Sequence, residues 1–282
     1  MAIGTAAQSG VDPVLVDRAA AVLGTGTVAV LTGAGISTDS GIPDYRGEGA
    51  PRRTPMSFQQ FRASERHRKR YWAGSHLGWR RFHEAAPNPG HIALAHLEEA
   101  EIVNGVITQN VDGLHSQAGN RRVVELHGSV DRVVCMDCGQ YFARHAIEQR
   151  LLALNPDIDN GQFVRLAPDG DAEVTDVDSF IVPECSVCGG TLKPDVVFFG
   201  EFVPVERFVE ASAMVSAADS LLVLGSSLAV NTGIRLLEIA RRRRLPIVIV
   251  NRGGTKGDSR ATVRIEGGTS QFLTELAARI AG

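Results

Sequence analysis

The chain has 282 residues, of which 44% are hydrophobic and 22% are charged, and its formal net charge is -3. These proportions are typical of a globular protein with one large domain, or with one domain that carries an insertion, and the charge gives no reason to expect nucleic acid or an anionic membrane as a partner. The sequence contains no apolar run of the roughly 18 residues that cross a bilayer, and its first residues lack the features of a secretion signal. A cytoplasmic enzyme is therefore the expectation.

Short apolar runs alternate with helical patterns along most of the chain. Runs that end at a glycine or a polar turn are typical of buried parallel strands, and they are Thr27–Thr32, Ile102–Thr108, Val123–Leu126, Val196–Gly200, Ser220–Gly225 and Pro246–Asn251. A helical spacing of apolar residues predicts helices over Asp12–Leu23, His91–Ala100, Val205–Ala218, Thr232–Arg244 and Ser270–Ile280. This alternation predicts an α/β fold with a Rossmann-like, doubly wound parallel sheet.

A glycine turn follows the first apolar run. Gly33, Ala34 and Gly35 come directly after Thr32, and such a turn lets the backbone approach a pyrophosphate closely. The full G-x-G-x-x-G pattern is absent, and so is the acidic residue that dinucleotide-binding dehydrogenases carry about 20 positions later. The turn therefore favours a dinucleotide-binding fold and argues against hydride transfer.

The segment Gly41–Arg46 does not continue as a helix, because Pro43 would break it. It predicts a loop that lies over a bound cofactor, with Asp44 and Arg46 directed at a polar group. A surface ion pair within a turn explains the same two charges equally well.

Polar residues follow several of the predicted strands, at the edge where open α/β sheets bind ligands. Asn110 offers an amide, and Asp112 falls on the same side of an extended segment, although an aspartate at a strand end is often only a helix cap. His127 precedes a glycine at another strand end and is interpreted as a general base, with a structural histidine as the alternative. The groups in Gly225–Ser227 and Asn251–Gly253 suit ribose and adenine.

Two regions interrupt the alternation. Pro51–Pro89 predicts a helical excursion, and Cys135–Cys188 encloses an acidic segment, Asn155–Pro183, whose composition indicates an exposed and partly mobile insertion. We therefore predict a Rossmann-like domain formed by residues 1–50, 90–132 and 194–282, and a small zinc-binding and helical domain formed by residues 51–89 and 133–193. The arginine-rich stretch Arg62–Arg70 is interpreted as a solvated helix face, with contact to nucleic acid or an acidic protein as the alternative.

All four cysteines occur in two C-x-x-C pairs, Cys135 with Cys138 and Cys185 with Cys188. Each pair brings two thiolates onto one tetrahedral ion, and a glycine after the second cysteine eases the turn. The pairs lie farther apart than the ~15–20 residues of a compact ribbon, which the insertion explains. Four thiolates leave no open coordination position, so we predict one structural Zn²⁺ per chain, with buried or redox cysteines as the alternative.

In their order and spacing, these motifs resemble the sirtuin family of NAD-dependent protein deacylases, over Val28 to about Leu276. They are GAGIS, GIPDYRG, TQNVDGLH, the His127-Gly pair, the two cysteine pairs, KPDVVFFGE, GSSLAV and NRG. GIPDYR together with RYWAG and PNPGH resembles the class II branch. That branch includes a mitochondrial sirtuin with weak deacetylase activity and reported ADP-ribosyl transfer, lipoyl-lysine and branched-acyl removal activities.

The resemblance implies that NAD is consumed as a co-substrate and that its nicotinamide enters a pocket near Ile42, Asn110 and Asp112. The acyl oxygen of an acyl-lysine would attack ribose C1′, His127 would take a proton from the ribose hydroxyls, and acyl-ADP-ribose, free lysine and nicotinamide would result. The residues implied for the cofactor are Gly33, Ala34, Gly35, Ile36, Ser37, Ile42, Pro43, Asp44, Tyr45, Arg46, Gln109, Asn110, Val111, Asp112, Gly225, Ser226, Ser227, Asn251, Arg252, Gly253 and Thr269.

The resemblance also implies how substrate binds. An acylated protein segment would add a strand between VFFGE and SSLAV, and the residues implied for it are Phe199, Gly200, Glu201 and Val230. The related desuccinylase type carries Tyr and Arg where this chain has Ser75 and Gly78, which argues against dicarboxylic acyl groups. ADP-ribosyl transfer to protein and a non-catalytic NAD-sensing or zinc-ribbon module stay open as alternatives, although intact His127, Asn110 and Asp112 favour catalysis. The preferred acyl group, the protein targets and the oligomeric state are not predicted.

Overall fold

The computed structural model describes residues 10–45, 55–156 and 177–281, without the side chains at positions 80 and 81. Arg46 and residues 157–176, most of the acidic segment expected to be mobile, lie outside the described residues. Across the described ranges, none of the helices combines the length and the apolar character that a bilayer crossing requires.

Strands and helices alternate along the described residues. The strands are β1 Val28–Thr32, β2 Val103–Thr108, β3 Val123–Glu125, β4 Gly128–Cys135, β5 Tyr141–Ala143, β6 Leu192–Val196, β7 Ser220–Leu224, β8 Ile247–Asn251 and β9 Val263–Glu266. The helices are α1 Pro13–Leu23, α2 Phe58–Ala63, α3 Glu65–His83, α4 Pro89–Glu99, α5 Leu114–Gln117, α6 Arg144–Leu154, α7 Val205–Ser216, α8 Asn231–Arg242 and α9 Thr269–Ile280. All five predicted helices are confirmed, as are five of the six predicted strands.

Six of the strands form one parallel sheet in the order β3-β2-β1-β7-β8-β9. Every residue of β1, β7 and β8 is buried, as expected for strands that are covered on both faces. The chain runs outward from β1 to β3, returns to β7 beside β1, and then runs outward to β9. This doubly wound sheet confirms the predicted fold class, and ligands of such sheets bind where the strand order reverses, here between β1 and β7.

Helices cover both faces of this sheet. Because successive side chains of a strand point to opposite faces, Val30 belongs to the core that contains Phe272 of α9, whereas Leu31 belongs to the core that contains Leu237 of α8. The amphipathic patterns that predicted these helices therefore mark the faces they bury. Local signals fix where helices begin: the Asp12 carboxylate accepts a hydrogen bond from the N–H of Val14 at the start of α1.

The remaining strands form a small antiparallel sheet in the order β5-β4-β6. It shares one apolar core with α2, α3 and α6, in which Phe61 and Trp72 are fully buried. The helical excursion predicted from the sequence is confirmed by α2 and α3. Where one domain ends and the other begins stays a prediction.

The prediction of a parallel strand over Val196–Gly200 is wrong. The strand in this region, β6, ends at Val196 and pairs with β4 in the small sheet. The apolar residues after it form a loop, because Phe198 packs into the core of the small sheet and Phe199 forms an isolated bridge with Ser57. An apolar run marks burial, and burial alone does not distinguish a strand from a loop that packs on a core.

Candidate active site at the carboxyl edge of the parallel sheet

The carboxyl ends of the central strands meet at one edge of the sheet. Thr32, the last residue of β1, is in register with Thr108 of β2 and with Leu224 of β7. The loops that follow these three strands therefore emerge side by side, and they carry the residues that the sequence singled out. The resulting edge is a place where groups distant in sequence act together.

Glycines let two of these loops pack backbone against backbone. The N–H of Gly35 donates to the carbonyl of Gly225 at 2.9 Å, and a Cβ on Gly35 would lie 2.8 Å from the Cα of Gly225. Gly225 has a φ of +60°, and a Cβ there would lie 2.5 Å from the Ile36 nitrogen. The sequence linked these glycines to phosphate approach, and the loop contact is a second reason for them that the sequence did not reveal.

A buried hydrogen-bond network joins the turn after β1 to the segment after β2. The Ser37 hydroxyl donates to Asp112 Oδ2 at 2.7 Å. The Asn110 amide donates to that hydroxyl at 3.1 Å and to the Gly33 carbonyl at 3.2 Å. Asn110 and Asp112 are 8% and 6% exposed, and Ser37 is fully buried. Ser37 is thus the residue through which the other two are held in fixed positions.

The Asp112 carboxylate is buried without a cation among its described partners. Its Oδ1 accepts a hydrogen bond from the Leu114 N–H at 3.0 Å, so it also caps α5. Burial raises the pKa of Asp112, while the hydrogen bonds from Ser37 and Leu114 act in the opposite direction. Each carboxylate oxygen has a second lone pair, and an amide N–H of a ligand would satisfy it. Asp112 can therefore cap α5 and bind a ligand at the same time.

His127 is held in one tautomer. Its Nδ1 lies 3.0 Å from the Gln109 carbonyl oxygen, and its Nε2 lies 3.2 Å from the Thr232 hydroxyl. Because a carbonyl oxygen only accepts, Nδ1 carries the proton in the neutral ring, and Nε2 is left with a lone pair toward Thr232. Burial, together with the positive charge of Arg207, lowers the pKa of His127, against an upward contribution from the hydrogen bond to Gln109. The ring is therefore neutral near pH 7 and able to accept a proton at Nε2.

The glycine that follows His127 is required by a close contact. Gly128 has a φ of +85°, and a Cβ at this position would lie 1.8 Å from the Asp195 carbonyl oxygen. Any other residue would push the start of β4 away from β6 and shift His127 with it.

Thr232, which contacts His127, was missed by the sequence analysis, because a threonine in the first turn of a helix has no distinguishing local signal.

The predicted adenosine residues gather at the ends of β7 and β8. The Ser226 hydroxyl donates to Gln109 Oε1 at 2.7 Å, and the Asn251 amide donates to the carbonyls of Arg252 and Gly253 at 2.8 and 2.9 Å. Thr269, the first residue of α9, contacts the Gly35 carbonyl at 3.4 Å. The Arg252 guanidinium lies beside Gly268. Ser227 follows Ser226 in the same loop.

A loop with one buried, two half-buried and one exposed residue, Ile42 to Tyr45, follows the glycine turn. Ile42 is 3% exposed and packs into the core of the small sheet, with Val111 from the segment after β2. Pro43 and Asp44 are half-buried, and the Tyr45 ring lies edge-on to the Phe199 ring at 6.1 Å. The predicted partner of Asp44, Arg46, lies outside the described residues, so the interpretation of this charged pair stays a prediction.

Two of the predicted substrate residues have exposed apolar side chains: Phe199, which contacts this loop through Tyr45, is 45% exposed, and Val230 is 38% exposed. The N–H of Phe58 donates to the Phe199 carbonyl at 3.0 Å. Glu201 is turned inward, because its carboxylate pairs with Lys193 at 3.1 Å and accepts from the N–H of Phe198 at 2.9 Å.

The four cysteines converge at one end of the small sheet. The Sγ atoms of Cys135 and Cys188 are 3.6 Å apart, those of Cys138 and Cys185 are 3.8 Å apart, and all four lie within 4.8 Å of one another. Sulfurs that surround one zinc ion at about 2.3 Å in a tetrahedron are about 3.8 Å apart. The glycines after the knuckles, Gly139 and Gly189, both have a φ of +73°. The donor set and its spacing therefore fit one structural Zn²⁺.

The family model for the Sir2 family matches residues 33–232. Among similar curated proteins, an "NAD-dependent protein deacetylase 1" of Mycobacterium avium (strain 104) is 51% identical over 261 residues, 91% of this chain and 93% of that protein. A protein of the same name from Streptomyces coelicolor is 51% identical and covers 92% of this chain and 87% of its own length. The "NAD-dependent protein lipoamidase sirtuin-4, mitochondrial" of Bos taurus is 46% identical over 86% of this chain and 79% of that protein.

Solved structures agree with these relatives. A structure described as "Sir2-p53 peptide-NAD+" superposes with a TM-score of 0.76 at 31% identity, over 93% of this chain and 96% of its own. A Sir2 enzyme superposes with a TM-score of 0.75 at 32% identity, over 96% of this chain and 99% of its own.

Proposed function

This chain belongs to the Sir2 family, and we propose that it is an NAD-dependent protein deacylase that transfers the acyl group of an acyl-lysine to ADP-ribose and releases nicotinamide. The observation that carries the proposal is the juxtaposition at one sheet edge of a neutral imidazole with an unprotonated Nε2 and a buried amide and carboxylate. The relatives from Mycobacterium avium and Streptomyces coelicolor are named NAD-dependent protein deacetylases.

The buried polar network would hold the nicotinamide end of the co-substrate. Asp112 would accept a hydrogen bond from the carboxamide N–H, and Asn110 would lie on the ribose side of the same pocket. Their positions are set before any ligand arrives, because Ser37 links them and Gly33 anchors Asn110. When bound, NAD supplies a glycosidic bond to nicotinamide whose cleavage makes ribose C1′ an acceptor for the acyl oxygen. Preorganised polar groups of this kind require no rearrangement during the reaction.

His127 would act as the general base. Its Nδ1–H is fixed on the Gln109 carbonyl, which leaves Nε2 to take a proton from a ribose hydroxyl. The hydroxyl of Thr232 occupies that lone pair in the free protein, and a ribose hydroxyl would replace it. Because the Gln109 carbonyl also stabilises the protonated ring, the tautomer and the orientation would survive the proton transfer.

The phosphate and adenosine parts of NAD would lie across the glycine turn and the loops after β7 and β8. Gly33–Ser37 would serve the phosphates, and the hydroxyl and amide groups of Ser226, Ser227 and Asn251 would serve the adenosine half. Gln109 would connect this half of the site to the catalytic histidine, because its side chain accepts from Ser226 and its backbone carbonyl holds the imidazole ring.

Class II membership and the acyl group are the finer parts of the proposal. Support for the class II branch comes from the bovine relative named as a lipoamidase, which also makes lipoyl-lysine a second candidate substrate beside acetyl-lysine.

Dicarboxylic acyl groups are disfavoured by the surroundings of Ser75. The Arg144 guanidinium lies 3.5 Å from the Ser75 hydroxyl and is already paired with the buried Glu148, so an acyl carboxylate there would have to compete with Glu148 for this cation.

A panel of acyl-lysine peptides tests the proposal. Peptides of one sequence that carry acetyl, lipoyl, branched and succinyl groups are incubated with NAD, and the products are identified by mass spectrometry. Deacylation gives acyl-ADP-ribose and free lysine, whereas the alternative, ADP-ribosyl transfer, gives a protein or peptide that carries ADP-ribose. We expect acyl-ADP-ribose from at least one neutral acyl group and little from succinyl. Neither product with any substrate would favour the non-catalytic alternative.

The four thiols also support a reducing compartment, because they form one cluster in place of disulfides. We propose the cytoplasm on this ground, and fractionation of cells with an antibody against the chain would test it.

A further inference from the structure

The hydroxyl of Thr232 is a second polar group beside the imidazole of His127, and the proposed reaction gives it no role once ribose has bound. Its Oγ1 lies 3.2 Å from His127 Nε2, and the residue is half-buried in the first turn of α8. With the residues that the structure describes, this hydroxyl makes no other hydrogen bond. A hydroxyl has one donor and two acceptor positions, so most of its hydrogen-bonding capacity is open to a ligand.

Gln109 fixes the loop before α8 against the imidazole. Its backbone carbonyl holds His127 Nδ1 at 3.0 Å, and its side-chain oxygen accepts a hydrogen bond from the Ser226 hydroxyl at 2.7 Å. That hydroxyl in turn accepts from the N–H of Leu228 at 3.2 Å. The helix itself approaches closely, because a Cβ on Gly233 would lie 3.0 Å from Leu228 Cδ2 and 3.4 Å from Gln109 Nε2. One residue therefore positions both the imidazole and the start of α8.

The backbone of this loop is strained at Leu228. Its φ is +54°, a left-handed conformation that leucine rarely adopts. The side chain is 1% exposed, and it packs so closely that a Cβ on Gly257 would lie 2.5 Å from its Cδ1. Strain of this kind persists only where the surroundings hold it, and it is concentrated at functional sites. The position of Thr232 beside His127 is therefore set before a ligand binds.

Two polar atoms at this separation fit two neighbouring hydroxyl groups of one ligand. The oxygens of a cis-diol are themselves within hydrogen-bonding distance of each other, as Nε2 and Oγ1 are here. The ribose that carries nicotinamide in NAD has such a diol, at its 2′ and 3′ carbons. Because the 2′ carbon is bonded to C1′, its hydroxyl is the one that can reach an acyl group held at C1′. The 2′ hydroxyl therefore belongs at His127 and the 3′ hydroxyl at Thr232.

We propose that Thr232 is a further substrate-binding residue, which holds the 3′ hydroxyl of this ribose while His127 takes the proton of the 2′ hydroxyl. The proposal rests on the proposed deacylase function and adds a residue to it. In the free protein the Thr232 hydroxyl donates to Nε2. When the 2′ hydroxyl replaces it there, its hydrogen turns to the 3′ oxygen. The transferred proton moves from the 2′ oxygen to Nε2, and Thr232 keeps its own. Contact at both oxygens fixes which hydroxyl faces the base.

Binding of NAD and of one analogue tests this contact without any turnover. The analogue lacks only the 3′ hydroxyl of the nicotinamide ribose, and calorimetry of the full chain without an acylated peptide gives both dissociation constants. We expect the wild-type chain to bind NAD roughly fivefold more tightly than the analogue. The ratio of the two constants is the observable, because a change at Thr232 also alters the free protein, where its hydroxyl bonds Nε2.

Three substitutions show whether the hydroxyl of Thr232 produces this preference. Thr232→Val removes the hydroxyl and keeps the branched shape, so the ratio should fall to about one. Thr232→Ser keeps the hydroxyl and should retain the wild-type ratio. Thr25→Val is the control: its hydroxyl bonds the Val22 carbonyl at 3.0 Å, before β1 and at the opposite edge of the sheet, and its loss should leave the ratio unchanged. Circular dichroism checks that the variants fold.

The outcomes separate the ribose contact from the reaction. A wild-type chain that binds NAD and the analogue equally, or a preference that survives in Thr232→Val, overturns the contact and leaves the deacylase function standing. A preference that Thr232→Ser also loses rejects it too, because the start of α8 and not the hydroxyl would then be responsible. A chain that binds NAD with the expected preference but releases no nicotinamide with any acylated peptide overturns the deacylase function alone. Failure to bind NAD overturns both.

Discussion

The nucleotide edge of the parallel sheet and the cysteine cluster of the small sheet are built on opposite principles. At the edge, side chains from distant loops satisfy one another, as Ser37 does for Asn110 and Asp112, and the lone pair of His127 Nε2 is held by a hydroxyl that a ligand could replace, that of Thr232. In the cluster, the four sulfurs lie within 4.8 Å of one another and supply all four ligands that a tetrahedral ion needs.

This difference shows how one chain separates reactivity from stability. A site that must bind and release a ligand needs polar groups that the protein holds in place, but whose hydrogen-bonding capacity it leaves partly unused. A site that only holds structure gains most when every ligand position is used, since metal binding energy then becomes folding energy. Substitutions should therefore affect the two regions in different observables.

The largest effect should come from the cysteine cluster. Cys138→Ser removes one thiolate, and we expect zinc to fall from about one per chain to nearly none, because structural sites bind Zn²⁺ with apparent energies of about 10–16 kcal/mol that depend on the complete set. Elemental analysis and hydrogen exchange of the small sheet would measure this loss. Met136→Ser, inside the same knuckle but not a ligand, is the control. Wild-type exchange protection in a zinc-free Cys138→Ser protein contradicts the assignment.

At the nucleotide edge, the largest effect should be on turnover alone. His127→Ala removes the base, and kcat should fall by roughly 10²–10⁴, while the dissociation constant for NAD measured by calorimetry should change little. The exposed His96 of α4 provides the control His96→Ala, which should keep wild-type kinetics. Undiminished turnover in His127→Ala refutes its role, and loss of NAD binding would reassign it to cofactor contact.

A smaller effect should follow from loosening the polar network. Ser37→Ala removes the donor to Asp112 Oδ2 and one of the two acceptors of the Asn110 amide, which keeps the Gly33 carbonyl, and a buried polar group that loses its partner costs about 1–3 kcal/mol. We expect kcat/KM for NAD to fall about tenfold or more, with zinc content unchanged. Ser212→Ala removes a hydroxyl that bonds the Phe208 carbonyl within α7 and should have no such effect. Equal losses in the two variants would argue against a special role for Ser37.

The smallest effect should appear in the pH profile. Because burial and Arg207 lower the pKa of His127 below its ordinary value of 6.5, the neutral base should persist below pH 6.5 and the acid limb of kcat/KM should have its midpoint there. Arg207→Gln removes one of the causes and should move that limb to higher pH. A wild-type midpoint above 6.5 would contradict the assigned environment of His127.

The sequence predicted what depends on local pattern and missed what depends on long-range contact. Strands β1, β7 and β8 are buried throughout, so they appear in the sequence as continuous apolar runs. Strand β9 was missed because the exposed Glu266 and half-buried Arg264 interrupt its apolar residues. The run after Val196 was misassigned because a loop packed on a core is as apolar as a strand.

The candidate site shows the same division. The residues in TQNVDGLH and at His127 were identified because polar groups at strand ends share one edge of the sheet. The contact of Thr232 with His127 joins residues 105 positions apart, and the backbone contact between Gly35 and Gly225 also spans most of the chain. No local composition or spacing encodes such pairs, since they depend on how the loops pack after folding.

The central claim is that this protein consumes NAD as a reagent each time it frees a lysine. The most direct test is the stoichiometry of the reaction with an acetylated peptide, in which nicotinamide, acetyl-ADP-ribose and free lysine are quantified in the same samples over time. Deacylation through ADP-ribose predicts that the three products form in equal amounts at every time point. Free lysine that accumulates with acetate and without nicotinamide would show simple hydrolysis and would contradict the mechanism.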